Sequence, residues 1–195
     1  MKRAFTLVEF VVVVAILLIL ATILFPVFSS HHYPNRRAQC QSNLKQIGLG
    51  FAQYVQDYNE KFPPVHVANS IGWADVIQPY VKSTQIFQCP LMQNSVAPLT
   101  DYYYNRRSAR VTLDKFESVA QTILTGEGDD DGPTWVSFAQ MPDSWKTDEN
   151  SPAWRHLEGA NYGFADGHVK WLKPSRINST FSDKGYPTFA LAKSP

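Results

Sequence analysis

Few residues in this chain combine types and spacings suited to chemistry. Its only cysteines are Cys40 and Cys89. Its histidines include the adjacent His31-His32 and the pair His156 and His168, which flanks Asp166-Gly167. Two imidazoles and a carboxylate are adequate zinc ligands, so His156, Asp166 and His168 are a candidate metal or catalytic set. The competing reading is structural, with Asp166 in a tight turn and His156 hydrogen-bonded across a hairpin. A second cluster is Glu127-Gly128-Asp129-Asp130-Asp131-Gly132, where carboxylates at Glu127, Asp129, Asp130 and Asp131 on a glycine-containing segment suit a hard cation. Its spacing does not match an EF-hand, and a solvated acidic turn is the default expectation. His31-His32 reads as solvated linker. No G-x-S-x-G, H-E-x-x-H or phosphate loop occurs, so no nucleophile has an oriented base and no enzyme is expected. The remaining chemical residue is Glu9, a carboxylate inside an apolar run, where it costs a few kcal/mol and is functional by default unless it reaches back to the headgroups.

The elements that must position these groups divide the chain unevenly. It has 195 residues, 44% hydrophobic and 18% charged, which bounds it to one anchored domain. A net charge of +1 and no basic run longer than a pair such as Arg36-Arg37 exclude nucleic acid as main partner. Mean hydropathy of -0.24 hides a split, because Phe5 to Phe28 is apolar apart from Thr6, Glu9, Thr22 and Pro26. As a helix this run spans about 36 Å, enough to cross a bilayer. Lys2 and Arg3 keep the N-terminus cytoplasmic and place the rest on the other side. A discarded signal peptide, cut near Ser29, and a retained anchor both fit this pattern.

Beyond the run, Ser29 to Pro34 reads as a linker ending in an X-Pro step. Asn35 to Tyr58 repeats apolar residues at three- or four-residue steps (Ala38, Leu44, Ile47, Phe51, Val55), an amphipathic helix ended by Phe62-Pro63-Pro64. A short helix is expected at 73–81, a strand-like segment at 85–89 and a buried strand at 118–126. A hairpin is expected to turn at Asp166-Gly167, packing Tyr162 and Phe164 and drawing on Val169 and Trp171. The polar stretch Met141 to Pro152 reads as a surface loop, and the tail from Pro174 as loosely packed. The aromatic residues Trp135, Trp145, Trp154 and Trp171 with Tyr102-Tyr103-Tyr104 serve either as core or as a carbohydrate- or surface-binding face. With the head outside the cytoplasm, Cys40 and Cys89 are expected to form a disulfide closing a loop of about fifty residues; two separate buried thiols are the alternative.

Lys2-Arg3-Ala4-Phe5-Thr6-Leu7-Val8-Glu9 and the run behind it resemble the N-terminal signal of type IV pilins and type II secretion pseudopilins. Cys40-Gln41-Ser42-Asn43-Leu44-Lys45-Gln46-Ile47-Gly48 is similar to the helix that follows the anchor in a large pseudopilin-like family, and His156 with Asp166-Gly167 resembles the H-x9-DG motif ending many such proteins. The likeness covers residues 1–62 and 155–172, with Phe87-Gln88-Cys89-Pro90 a looser match between them. It implies an α+β pilin-like fold: a leader over 1–4, a transmembrane or filament-core helix over 5–28, a linker over 29–34, and a head over 35–195 with an antiparallel sheet. It also implies that a prepilin peptidase cuts between Ala4 and Phe5 and methylates Phe5, though the family usually has Gly where Ala4 stands. Glu9 then neutralises the Phe5 amine of a neighbouring subunit in the low-dielectric bundle, and Pro26 allows local bending. Several secretion pseudopilins bind calcium, which keeps Ca²⁺ at the acidic cluster as the one cofactor to consider.

The function implied is a structural subunit of a pilus-like or pseudopilus filament. Its partners are further copies of itself in a helical homo-polymer, the prepilin peptidase, the assembly machinery and the inner membrane, and its location is the inner membrane and then periplasm or cell surface. Two alternatives stand beside it: a monomeric membrane-tethered protein binding a glycan or envelope component, and a secreted metal-dependent enzyme.

Overall fold

The computed structural model describes residues 7–29, 32–67, 70–92, 99–182 and 184–192, with side chains omitted for 23–29 and 32–35. The chain divides into two compact units, residues 1–36 and 37–195.

In the first unit, α1 (Leu7–Ser29) is a continuous helix of 23 residues that runs through Pro26. Four consecutive valines, Val11 to Val14, are weak helix formers in water, so an apolar surrounding that obliges each backbone group to pair internally suits this segment better. Each described side chain from Leu7 to Thr22 is exposed. Thr22 turns its hydroxyl back onto the Ile19 carbonyl at 2.8 Å, satisfying its one polar group within the helix. Among the described residues no helix is long and apolar enough to cross a membrane.

α2 (His32–Asp57) begins earlier than the sequence suggests. The expected linker over 29–34 is helical from His32, because Pro34 falls in the first turn, where an amide hydrogen has no intrahelical acceptor to lose. Cys40, Leu44, Ile47, Phe51 and Val55 form the buried stripe of α2. After it come a two-stranded ribbon, β1 (His66–Val67) and β2 (Ile71–Gly72), and α3 (Trp73–Val81), as expected. At the start of α3, Gly72 donates its amide to Asp75 at 2.8 Å, which closes the first turn. Residues 85–89, expected to be strand-like, contain a 3-10 turn at Gln85–Phe87 that buries Ile86 and Phe87.

The head is built on a five-stranded sheet of β3 (Thr100–Asn105), β4 (Ile123–Gly132), β5 (Ser137–Phe138), β6 (Ala160–Phe164) and β7 (Val169–Leu172), in the order β5-β3-β4-β6-β7. Neighbours are antiparallel except for the short parallel pair β3·β5. Alternation along β3 separates two cores: Tyr102 and Tyr104 pack with the α2 stripe and Trp73, and Tyr103 packs with Ile123, Trp145, Tyr162, Phe164 and Phe189 on the opposite face. Each Tyr is fully buried, so burial raises all three phenol pKa values above the ordinary range. Gly163 in β6 sits under α2; a Cβ there would meet Thr125 Cγ2 at 2.9 Å and the Leu44 carbonyl at 3.9 Å.

The structure departs from the sequence reading in four further places. The strand expected at 118–126 starts at Ile123 and continues through the acidic run, which therefore lies in β4 and not in a turn. Asp166-Gly167 belongs to a wider loop over 165–168: Gly167 donates to the Phe164 carbonyl at 2.9 Å, and only Gly167, at φ +82°, is left-handed. The 141–152 stretch is anchored by buried Met141 and Trp145, the latter in a 3-10 turn at Asp143–Lys146. The tail is packed as well, because Thr188, Phe189 and Ala190 are buried and Thr188 bridges to Thr122 and Asn178.

Candidate functional site

Where α2, the segment around Cys89, β4 and the His156 turn meet, the head buries a polar cluster. Cys40 comes from the first buried position of the α2 stripe, and Cys89 follows the 3-10 turn at 85–87. They form the expected disulfide, with Cα atoms 5.5 Å apart. The amide of Cys89 donates to the Asp101 carboxylate at 2.6 Å, which fixes the segment against β3. His156 is held by its own amide, which donates to the Gly159 carbonyl at 2.8 Å, and by the Trp171 indole donating to the His156 carbonyl at 2.7 Å. This places Nε2 2.8 Å from Glu127 Oε1 and 3.9 Å from Cys89 Sγ. Glu127 is 0% exposed and His156 3%, so the pair is cut off from water. Asn161 completes it, donating to Glu127 Oε1 at 2.8 Å and to the Arg37 carbonyl at 3.4 Å.

Beyond Glu127, which pairs with Tyr102, β4 shifts register against β3 before Gly132 pairs with Thr100, and this irregular stretch carries the other acidic residues away from Glu127. Asp129 and Asp130 lie on the exposed stretch of β4, beside a cavity of 340 Å³ lined also by Glu149, Trp154 and Arg155. Arg155 donates to Asp130 at 2.5 Å and to the Gly128 carbonyl at 2.7 Å. Burial nevertheless raises the carboxyl pKa of both Asp129 and Asp130, against the lowering pull of the Arg155 charge. Asp131 has φ 51° and donates its amide to Asp101 at 3.0 Å. The four carboxylates considered for calcium therefore do not converge on one point. Among the described residues, the only group of three or more metal-type ligands is Cys40, Cys89 and His156.

Nor do His156, Asp166 and His168, weighed as a zinc set against a structural reading, come together. His168 Nδ1 lies 2.6 Å from Asp166 Oδ1, and its ring stacks on Phe164 at 4.2 Å. The loop is tied to α2 through Lys45, whose ammonium donates to the Gly167 carbonyl at 2.7 Å. The H-x9-DG residues are thus split: His156 joins the buried cluster, while Asp166 and Gly167 shape a loop on α2. Asn161 and Arg155 were not singled out from sequence, because nothing in their spacing marks them; strand pairing and the turn at Gly159 give them their roles. In the other unit, Glu9 is an exposed position of α1, Pro26 lies within the helix, and Ala4 and Phe5 fall outside the described residues.

Residues 1–25 match a family model described as a prokaryotic N-terminal methylation motif. The chain carries a prepilin-type methylation motif. Residues 35–98 match a model described as a protein of unknown function (DUF1559), a span that holds most of α2, both cysteines and α3. No curated protein and no solved structure matches the chain. The prepilin-type motif contains Ala4, Phe5 and Glu9 and implies processing by a prepilin peptidase and handling by pilus or secretion machinery. The α+β head with its antiparallel sheet behind an N-terminal helix agrees with a pilin-like fold.

Proposed function

We propose that this chain is a structural subunit of a pilus-like or pseudopilus filament, anchored in the membrane by its N-terminal helix before assembly. The observation that carries the reading is the prepilin-type motif at the head of a helix whose described side chains are all exposed and nearly all apolar. A helix apolar all round needs lipid or other helices on every side. A bilayer before assembly and a bundle of like helices after it meet that need in turn. The prepilin peptidase cuts between Ala4 and Phe5 and methylates the Phe5 amine. In the bundle this amine pairs with Glu9 of a neighbouring copy, which neutralises two charges that would be expensive apart and sets the axial stagger of subunits. Pro26 gives the helix a place to bend. The membrane crossing rests on the sequence of the full run from Phe5 to Phe28.

The aromatic face of the tethered-binder alternative has less to draw on, because Tyr102, Tyr103, Tyr104 and Trp145 are core residues. Intact-mass and N-terminal peptide mass spectrometry on protein from its native cells tests the proposal. A chain beginning at methylated Phe5, recovered in sheared filaments, is the expected result. A start near Ser29 would overturn it.

A further inference from the structure

The buried cluster of the head holds more donor atoms than a disulfide uses. Cys40, Cys89 and His156 are 0%, 1% and 3% exposed, and their ligand atoms all lie within 4.8 Å of one another. A tetrahedral zinc with two sulfurs and an imidazole requires donor separations of about 3.3–3.8 Å, so side-chain rotations suffice once the sulfur–sulfur bond is open. A fourth donor lies beside His156, outside the group of three whose atoms all fall within 4.8 Å of one another. Glu127 is 0% exposed and has Oε1 2.8 Å from His156 Nε2, and among the described residues its Oε2 is buried without a hydrogen-bond partner. That oxygen is a second observation, independent of the cysteines, since a buried carboxylate oxygen left unpaired is costly unless something positive reaches it.

We infer that the reduced head binds one thiophilic divalent cation of the zinc type through Cys40, Cys89, His156 and Glu127, and that disulfide formation and metal binding are mutually exclusive states of this cluster. The chemistry balances. A dithiol gives two electrons and two protons to the Cys40–Cys89 bond and becomes a disulfide itself, leaving two thiols. The cation then displaces both thiol protons to solvent; the proton between His156 Nε2 and Glu127 Oε1 moves to Nδ1 by tautomer exchange, which frees the Nε2 lone pair and a Glu127 oxygen for the cation. Asn161 keeps its amide on the carboxylate and orients it, as outer-shell donors do for metal ligands. The contact between α2 and the Cys89 segment is thereby held by a metal where thiols persist and by a covalent bond where they are oxidised.

The test uses the full chain in detergent, oxidised or reduced with a dithiol that is then removed anaerobically, and titrated with Co²⁺ alone. The reduced chain is expected to bind one Co²⁺ with release of two protons, showing thiolate charge-transfer absorption and the visible bands of a tetrahedral ion, and to lose both on adding Zn²⁺. The oxidised chain is expected to show neither signal. His156→Ala should weaken binding at least tenfold. Because that variant can fail to fold, the comparison of the two wild-type redox forms decides on its own. Equal titrations of the two forms, no binding by the reduced chain, or only octahedral bands overturn the inference.

Discussion

Residues 7–22 and residues 155–172 carry their chemistry in opposite ways. In the first stretch every described side chain is exposed, and its one carboxylate, Glu9, is notable because of the apolar sequence around it. In the second, His156 matters because the fold brings Glu127 and Cys89 to it across 29 and 67 positions of sequence. A helix that buries nothing of its own presents its pattern directly to whatever surrounds it. A motif in a sheet acquires its meaning from strand partners distant in the chain.

Substitutions can break or sharpen this contrast, read as stability of the full chain in detergent from tryptophan fluorescence during denaturant unfolding. All five tryptophans lie between Trp73 and Trp171, so the signal reports the head. Glu127→Ala should be the most damaging. It leaves His156 and the Asn161 amide buried without their acceptor, at a cost of about 3–5 kcal/mol. An effect near zero would mean that water reaches the cluster. Cys40→Ser is expected to cost ~2–4 kcal/mol under oxidising conditions through loss of the crosslink, and a shift that persists equally in reductant would contradict that cause. Gly163→Ala should cost about 1–3 kcal/mol, because its Cβ meets Thr125 under α2.

Asp129→Asn should act weakly and in the other direction. Burial raises the folded-state pKa of Asp129 above its usual 3.8, so the native state binds the proton more tightly and the ionised carboxylate opposes folding at neutral pH. The Asn variant is therefore expected to be slightly more stable than wild type at neutral pH, with the difference disappearing as the pH falls below 3.8. A gain that grows in acid would reverse the sign and refute the cause. Glu9→Ala should have the smallest effect on the head, within about 0.5 kcal/mol, while lowering incorporation into sheared filaments. Unchanged filament yield would remove Glu9 from the proposed assembly step.

Legibility in the sequence followed the range of the interactions. The α2 stripe and α3 were readable because a 3.6-residue repeat and a terminating Pro-Pro are local. The Cys40–Cys89 bond was readable because two cysteines allow one pairing. The acidic run misled, since Gly and Asp at 128–132 look like a turn although β4 continues through them, bulged against β3 between the Glu127–Tyr102 and Gly132–Thr100 pairs. The tail misled for the same reason: Phe189 is buried by partners such as Tyr103, stacked on it at 5.7 Å, which lie far away in the chain. Pro34 misled in the opposite way, because the X-Pro rule is local but the position of a helix start is not.

The sequence by itself determined the apolar helix, its processing motif and the lone carboxylate within it, because hydrophobic run length and charge placement act without partners. Only the tertiary structure decided that the C-terminal motif divides between a buried histidine and an exposed loop. It also decided that Glu127 is buried facing His156 and the disulfide while Asp129 and Asp130 stay exposed, because β4 leaves its register with β3 after Glu127 and the partners that bury each position come from elsewhere in the chain.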